Sequence, residues 1–379
     1  MLEVEYWIWL TLLQGLGAVK TMALLQMYKC PRVIYEMSEQ ELKETRLLTD
    51  KNIHEILDKQ KRERVIQIYK LMVKHNIKMI NIFDENYPNN LKQIYDPPIA
   101  LYYIGKFDIN DFSIAIVGSR RTTNYGAYSA KRLSYDLAMR GIQIVSGLAR
   151  GIDRIAHEGC LDAGGKTIAV LGCGLDNIYP PENKGLFDNI IKSEGLVVSE
   201  YPPGMPPLQH HFPARNRIIS GISSGVLVVE AARRSGSLIT ASYALEQGRE
   251  VFAVPGNIDS AYSNGTNQLI KDGAKMVVNA KDILEEFQYG EFINNTMFEN
   301  DFREVSSIKR GNTNFSLFKG LSTEEIRIVK IIANGIHHID EIIERSNISA
   351  KEVNNLLFML EMKGVITQQP GKMFEICSF

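Results

Sequence analysis

Between residues 113 and 288, short apolar runs recur at roughly even intervals, over 114–117, 142–145, 167–171, 196–198, 226–229, 251–254 and 276–278. Each is too short for a helix and rich in Val and Ile. Segments with helical spacing lie between them; Ala130, Leu133, Leu137 and Ala138, for example, share one face. Strands alternating with helices predict βα units and a parallel sheet buried on both faces. Right-handed crossovers then favour an α/β fold built on a Rossmann-like, doubly wound, mostly parallel sheet.

The flanks read differently. Residues 1–80 predict short helices, two of them (6–13 and 18–28) on either side of Gly15-Leu16-Gly17, with Ser38 and Glu41 as a capping box opening another. This form resembles a helix-hairpin-helix or SAM-like unit, in which backbone amides touch a DNA phosphate; the plain αα-turn is the favoured reading of the turn itself. Residues 81–288 form the extended Rossmann-like domain and 289–318, rich in Asn and charge without a period, a linker. Residues 319–379 predict three helices: one capped by Ser322/Glu325, one through Ile339, Ile342 and Ile343, and one capped by Ser349/Glu352 with Val353, Leu356, Leu357 and Leu360 on one face. A hairpin of 365–367 and 374–376 across Pro370-Gly371 completes a winged-helix pattern. Its third helix sets Lys351 and Lys363 against Glu352 and Glu361, which favours a protein-interaction or regulatory role over duplex reading.

Charge adds a constraint. Lys plus Arg number 43 and Asp plus Glu 44, a net charge of −1, so any anion site must be local rather than a property of the whole surface. Cys30, Cys160, Cys173 and Cys377 are far apart and form no CxxC pair, which argues against a zinc site or disulfide framework and fits a reducing cytosol. No stretch approaches the ~20 apolar residues of a membrane helix, and the opening apolar run lacks a basic n-region; a cytoplasmic protein is expected.

In a doubly wound sheet, ligands bind beyond the carboxyl ends of the strands. The residues there are Gly118-Ser119-Arg120, Ser146-Gly147 with Arg150, Gly172 and Gly174, then Arg215-Asn216-Arg217 after the fourth strand, and Ser235-Gly236-Ser237 with Thr240 after the fifth. Glycine lets a phosphate reach the backbone, a following helix N-terminus offers unpaired amides, and arginine adds a bidentate, permanently charged donor. Four such loops converging on one sheet edge predict an anionic ligand with several phosphates, and Phe212 beside the arginines supplies a ring on which a base could stack.

Other motifs lead nowhere. Gly164-Gly165-Lys166-Thr167 resembles the end of a Walker A loop, but position 160 is Cys and a strand, not a helix, follows. Gly221-Ile222-Ser223-Ser224-Gly225 precedes a strand, whereas a nucleophile elbow must follow one. The first strand lacks the GxGxxG of a dinucleotide site. His157 is expected as a packed histidine and Asp153 as an early-turn residue suited to the helix dipole. No catalytic group, metal or cofactor is predicted.

Taken together, Gly118-Ser119-Arg120 with Thr123 and Tyr125-Gly126, Ser146-Gly147-Leu148-Ala149-Arg150-Gly151-Ile152-Asp153, the run Phe212-Pro213-Ala214-Arg215-Asn216-Arg217-Ile218-Ile219, Arg234-Ser235-Gly236-Ser237-Leu238-Ile239-Thr240 and Val254-Pro255-Gly256 resemble the DNA processing protein A (DprA/Smf) family. The resemblance implies a non-enzymatic homodimer that binds single-stranded DNA without sequence preference. Such a protein protects incoming DNA and loads the RecA recombinase in natural transformation and homologous recombination. It further implies that Gly118, Ser119 and Arg120 contact phosphates, that Arg215, Asn216 and Arg217 line the same pocket, and that Phe212 stacks on a base. Some relatives carry Lys three residues before this Phe; here that position is Gln209, with His210 or Arg150 nearby as substitutes. The alternative is a phosphoribohydrolase-like nucleotide-processing enzyme, or a nucleotide-sensing module. The enzyme's catalytic Glu is missing after Ser235–Thr240, where Ala241-Ser242-Tyr243 follow.

Overall fold

The computed structural model describes residues 1–110 and 112–287, and beyond them 325, 328–329, 331–332, 337–346, 350–362, 365–369 and 372–376. The chain separates into two compact units, 1–292 and 293–379.

The larger unit is built on one nine-stranded sheet. Its strands are β1 (Lys78–Asn81), β2 (Ala100–Gly105), β3 (Ser113–Val117), β4 (Gln143–Ser146), β5 (Thr167–Leu171), β6 (Leu196–Ser199), β7 (Gly225–Val228), β8 (Glu250–Ala253) and β9 (Lys275–Met276). Their spatial order is β1-β2-β6-β5-β4-β3-β7-β8-β9. All seven predicted strands are present and parallel, because their unbroken Val and Ile runs suit a sheet covered on both faces. β1 and β2 were not predicted. They extend the sheet antiparallel from β6, so they stand outside the βα rhythm that exposes the others. The chain winds from β3 outward to β6, then crosses back to β7 on the other side of β3. The gap between the ends of β3 and β7 is therefore the switch point where such sheets open a crevice.

Seven helices precede β3: α1 (Glu3–Thr11), α2 (Ala18–Tyr28), α3 (Pro31–Glu36), α4 (Glu39–Glu44), α5 (Asp50–Ile56), α6 (Lys59–Lys74) and α7 (Asn89–Lys92). The first six share a core with one side of the sheet, where Trp7, Trp9 and Leu24 join Tyr102, Leu171 and Val197. The Thr11 and Tyr102 hydroxyls lie 2.8 Å apart across that contact. The turn between α1 and α2 uses Gly17 at φ +74°. Gly15 donates its N–H to Glu55 (3.0 Å), and its carbonyl accepts from Asn52 (2.9 Å). The Gly15 amide is thus held by a carboxylate of the same unit.

The sheet is flanked by α8 (Asn124–Ala138), α9 (Ile152–Asp162), α10 (Lys184–Lys192), α11 (His211–Ile222), α12 (Gly236–Glu246), α13 (Asn264–Lys271) and α14 (Ala280–Glu286). The Walker-like run is a helix end: Gly164, at φ +70°, turns the chain out of α9 into β5. Ser223 of the GxSxG run is buried and bonds back to Ile219 of its own helix (2.9 Å).

In the second unit, α15 (Ile339–Ser346) and α16 (Ala350–Met362) pack with the hairpin β10 (Ile366–Gln369) and β11 (Met373–Ile376). Val353, Leu357 and Leu360 are buried with Ile342, Ile366 and Phe374. The linker 289–318, Ser322, Ser349, Lys363, Pro370-Gly371 and Cys377 lie outside the described residues. Among the described residues no helix is long and apolar enough to cross a membrane, and no cluster of side chains could hold a metal ion.

Candidate functional site

The loop after β3 is fixed from below by Glu230, at the end of β7. Ser119 donates its N–H to the Glu230 carbonyl (2.8 Å). The Glu230 carboxylate, 2% exposed, accepts from the Thr122 hydroxyl (2.7 Å), the Thr123 N–H (3.0 Å) and the Thr123 hydroxyl. Thr123 then caps α8 through the N–H of Gly126 (3.1 Å). Position 118 admits no side chain: a Cβ there would lie 2.7 Å from Ile152 and 3.0 Å from the Glu230 carbonyl.

α11 supplies the opposing wall. Phe212, Arg215 and Asn216 stand three and four residues apart and so share one face. Arg215 is buried, donating to the carbonyls of Gly147 (2.8 Å) and Val170 and to Asn216 Oδ1 (3.2 Å). Gly147 is required beneath it, since a Cβ would come within 2.6 Å of the guanidinium. Burial lowers the Arg215 pKa from its ordinary value, opposed by nearby Asp153. Asp153 is itself buried and accepts the Gly147 N–H (3.2 Å). Burial raises its pKa above the usual carboxylate value, against the pull of Arg215. So Asp153 does more than suit the helix dipole; it is the counter-charge and loop anchor under the site.

The third wall is the start of α12. The Ser235 side chain caps it, accepting the Ser237 N–H (3.4 Å) and lying 2.8 Å from the Ser237 hydroxyl. Asn216 donates to the Gly236 carbonyl (3.3 Å) and ties α11 to α12.

These walls enclose a cavity of about 580 Å³ at the switch point. It brings together Gly118, Ser119, Arg120, Phe212, Arg215, Asn216, Ser235, Gly236, Ser237 and Thr240. Arg120 stands exposed at the mouth with no ion-pair partner among the described residues. Its guanidinium lies over the Phe212 ring, 5.4 Å from the centroid.

Six expected residues lie elsewhere. Arg217 does not line this cavity, because residues two apart on a helix point roughly 200° away from each other. It faces a second cavity of about 330 Å³ between the N-terminal helices and the sheet. There it is buried and paired with Asp96 (2.8 Å) and Glu200 (2.7 Å). Burial works against its charge, yet Glu200 and Asp96 hold its pKa above the ordinary value. Arg150 is not in the lining of this cavity; it is exposed and paired with Glu182. The Ser146 hydroxyl is buried and donates to Ile116 (2.6 Å). Gly147 seats Arg215, as described above. Gly172 seats Phe212, a Cβ there falling 3.1 Å from the ring. Gly174 spends its N–H on the Met205 carbonyl (2.9 Å).

Gln209 lines the cavity at the position where some relatives carry Lys, and Tyr179 and Ile239 line it unforeseen. Tyr179 comes from the loop beyond β5, and no spacing in the sequence ties it to Phe212. His157 is packed as expected. Its Nδ1 lies 2.7 Å from the Thr167 hydroxyl, which itself donates to Ile144, and burial pulls its pKa down to about 3.

Comparison with known proteins places this geometry. The family model of DNA recombination-mediator protein A matches residues 78–288, and that of the DprA winged helix domain matches 319–372. The DNA processing protein DprA of Streptococcus pneumoniae is 50% identical over 210 residues, 55% of this chain and 74% of its own. Protein Smf of Synechocystis is 33% identical over 98% of both chains. The X-ray structure of the S. pneumoniae protein aligns with TM-score 0.64 at 40% identity, covering 74% of this chain and 97% of that one. DNA processing protein A of Helicobacter pylori, described for its single-stranded DNA binding mode, aligns with TM-score 0.51 at 33% identity, covering 56% of this chain and 96% of that one. A sheet crossing at β3/β7, strand-end loops carrying the shared motifs and a winged-helix unit thus agree with one another: the chain belongs to the DprA/Smf family of DNA recombination-mediator proteins.

Proposed function

We propose that the switch-point cavity binds single-stranded DNA without sequence preference, and that the protein acts as a homodimer which protects such strands and hands them to the RecA recombinase. The observation that carries this reading is the mouth of the cavity. The Arg120 guanidinium, without an ion-pair partner among the described residues, lies over an aromatic ring, Phe212, in a cavity that the first residues of α12 also line. Single-strand binders combine these two elements, because cations follow the backbone and every base offers a π-face. The serines and glycines at 118–119 and 235–237 give a phosphate room and donors beside a helix N-terminus. The H. pylori relative is described as binding single-stranded DNA, which supports the same assignment here. The RecA and homodimer parts rest on family membership, and with them goes a cytoplasmic location, where a partner of RecA would work on DNA.

An enzymatic role fits the cavity poorly. The carboxylate in its wall, Asp153, is buried and occupied by the Gly147 N–H beside Arg215. In a binding role no group needs to transfer a proton. Fluorescence anisotropy with labelled single-stranded and duplex oligonucleotides of mixed sequence tests the proposal. Tight, sequence-tolerant binding of the single strand and weak binding of the duplex are expected. Preferential binding of free mononucleotides, or their turnover, would instead favour the nucleotide-processing or nucleotide-sensing reading.

A further inference from the structure

We infer that Tyr179 is a second base-stacking residue, which takes an unpaired base next to the one taken by Phe212. This inference rests on the single-stranded DNA reading of the cavity. In the free protein the Phe212 ring is already engaged: it lies against Gly172, and Arg120 covers it at 5.4 Å. A base stacking on the face of Phe212 that Arg120 covers has to share or take that guanidinium's place. Tyr179 is the more open ring. It lines the same cavity, is 36% exposed, and its hydroxyl has no hydrogen-bond partner among the described residues.

The two ring centroids are 5.6 Å apart with planes inclined by 39°. Rings this close leave no slot for a base between them. They form a bent, two-panel surface that suits consecutive bases of one strand rather than a single sandwiched base. The panels come from separate elements, the loop beyond β5 and the first turn of α11. The Tyr179 loop is pinned at both ends. Gly174 donates to the Met205 carbonyl (2.9 Å), Asn177 donates to the Gly174 carbonyl (2.9 Å), and Asn183 holds the Leu148 carbonyl (2.9 Å). A loop backbone held this way loses little freedom when its side chain stacks on a base, which is what makes the contact effective.

The test measures affinity of the full chain, wild type, Tyr179→Ala and Tyr179→Phe, for two labelled oligonucleotides of equal length, an all-thymidine strand and one carrying abasic sites throughout its centre. Tyr179→Ala should weaken binding of the thymidine strand roughly 5- to 100-fold, as expected for loss of one base–aromatic stack. Tyr179→Phe should stay within about twofold of wild type. On the abasic strand, wild type and Tyr179→Ala should agree within about twofold, because the phosphates remain and the bases are gone. The slope of affinity against salt should not change. Equal losses for Tyr179→Ala on both strands would overturn the inference by showing a structural role, and so would a Tyr179→Phe loss as large as that of Ala. A wild-type protein that binds the strand while Tyr179→Ala binds equally well would overturn it alone. A wild type that binds no single strand would overturn the reading beneath it as well.

Discussion

Three arginines near the cavity do three different things, and their substitution by Ala should separate them. Arg217 is a buried cation between two carboxylates, so Arg217→Ala leaves Asp96 and Glu200 uncompensated. The guanidinium is buried but Asp96 and Glu200 remain 42% and 28% exposed, so solvent screens part of the loss; the cost should be about 1–3 kcal/mol, and urea unfolding should show it. Folded Arg217→Ala should still bind single strands, because the residue faces the other cavity. Arg120 is exposed and has no ion-pair partner among the described residues, so Arg120→Ala should leave unfolding within ~0.5 kcal/mol of wild type while lowering affinity for every sequence alike. Arg215 holds the floor by bonds to two carbonyls, and Arg215→Ala should damage both stability and binding. His157 gives a pH signature. Its folded pKa, about 3, lies below the ordinary 6.5, so the unfolded chain binds more protons between those values. Its contribution to stability is complete above pH 6.5 and is lost as the pH falls toward 3. The melting temperature of wild type should therefore drop more steeply than that of His157→Asn across this window; parallel curves would remove His157 as the cause.

At the scale of elements, the legible and illegible parts of the chain divide along physical lines. The seven parallel strands could be read because a strand buried on both faces has to be a continuous apolar run. Their terminal loops could be read because glycine and serine stand there for steric reasons, as at Gly118 and Gly147. β1 and β2 could not, since antiparallel additions carry no crossover helix to announce them. The sequence order of α11 also misleads. Arg215-Asn216-Arg217 looks like one cationic cluster, but the helix turns by about 100° per residue and sends Arg217 to the far side. Its partners sit 121 and 17 residues away, beyond any local pattern. Tyr179 was hidden in the same way, brought to Phe212 by the fold alone. The element-level prediction concerns the β3–α8 loop. In Gly118→Ala a methyl group must displace Ile152 or the Glu230 carbonyl, which buttresses Ser119. Overpacking of this kind costs about 1–3 kcal/mol, and it should move the loop that presents Arg120. Single-strand affinity should fall further than the unfolding free energy alone explains. A variant with reduced stability and wild-type affinity would show that the loop does not set the site.

For the whole molecule, the net charge of −1 means that no diffuse positive field draws in a polyanion, so the salt dependence of binding counts local contacts. Arg150 is spent on Glu182, Arg217 on Asp96 and Glu200, and Arg215 is buried beside Asp153. Arg120 lines the cavity, and three further guanidinium groups stand next to its lining residues in sequence: Arg121, and Arg233 and Arg234 just before Ser235. All four are exposed and lack an ion-pair partner among the described residues. If each neutralises one phosphate, the logarithm of the binding constant should fall with the logarithm of salt with a slope of about −0.7 times four, or roughly −3, per protomer. Arg120→Ala should reduce this to about −2, whereas Phe212→Ala should leave the slope alone and cost ~1–3 kcal/mol at every salt concentration. Measuring both variants over one salt series separates charge from stacking within a single site. A slope near zero for wild type would mean that the exposed arginines do not meet phosphates. A slope that Arg120→Ala leaves untouched would place the strand away from this mouth, since among the described residues Arg120 is the cation that lies over the ring there.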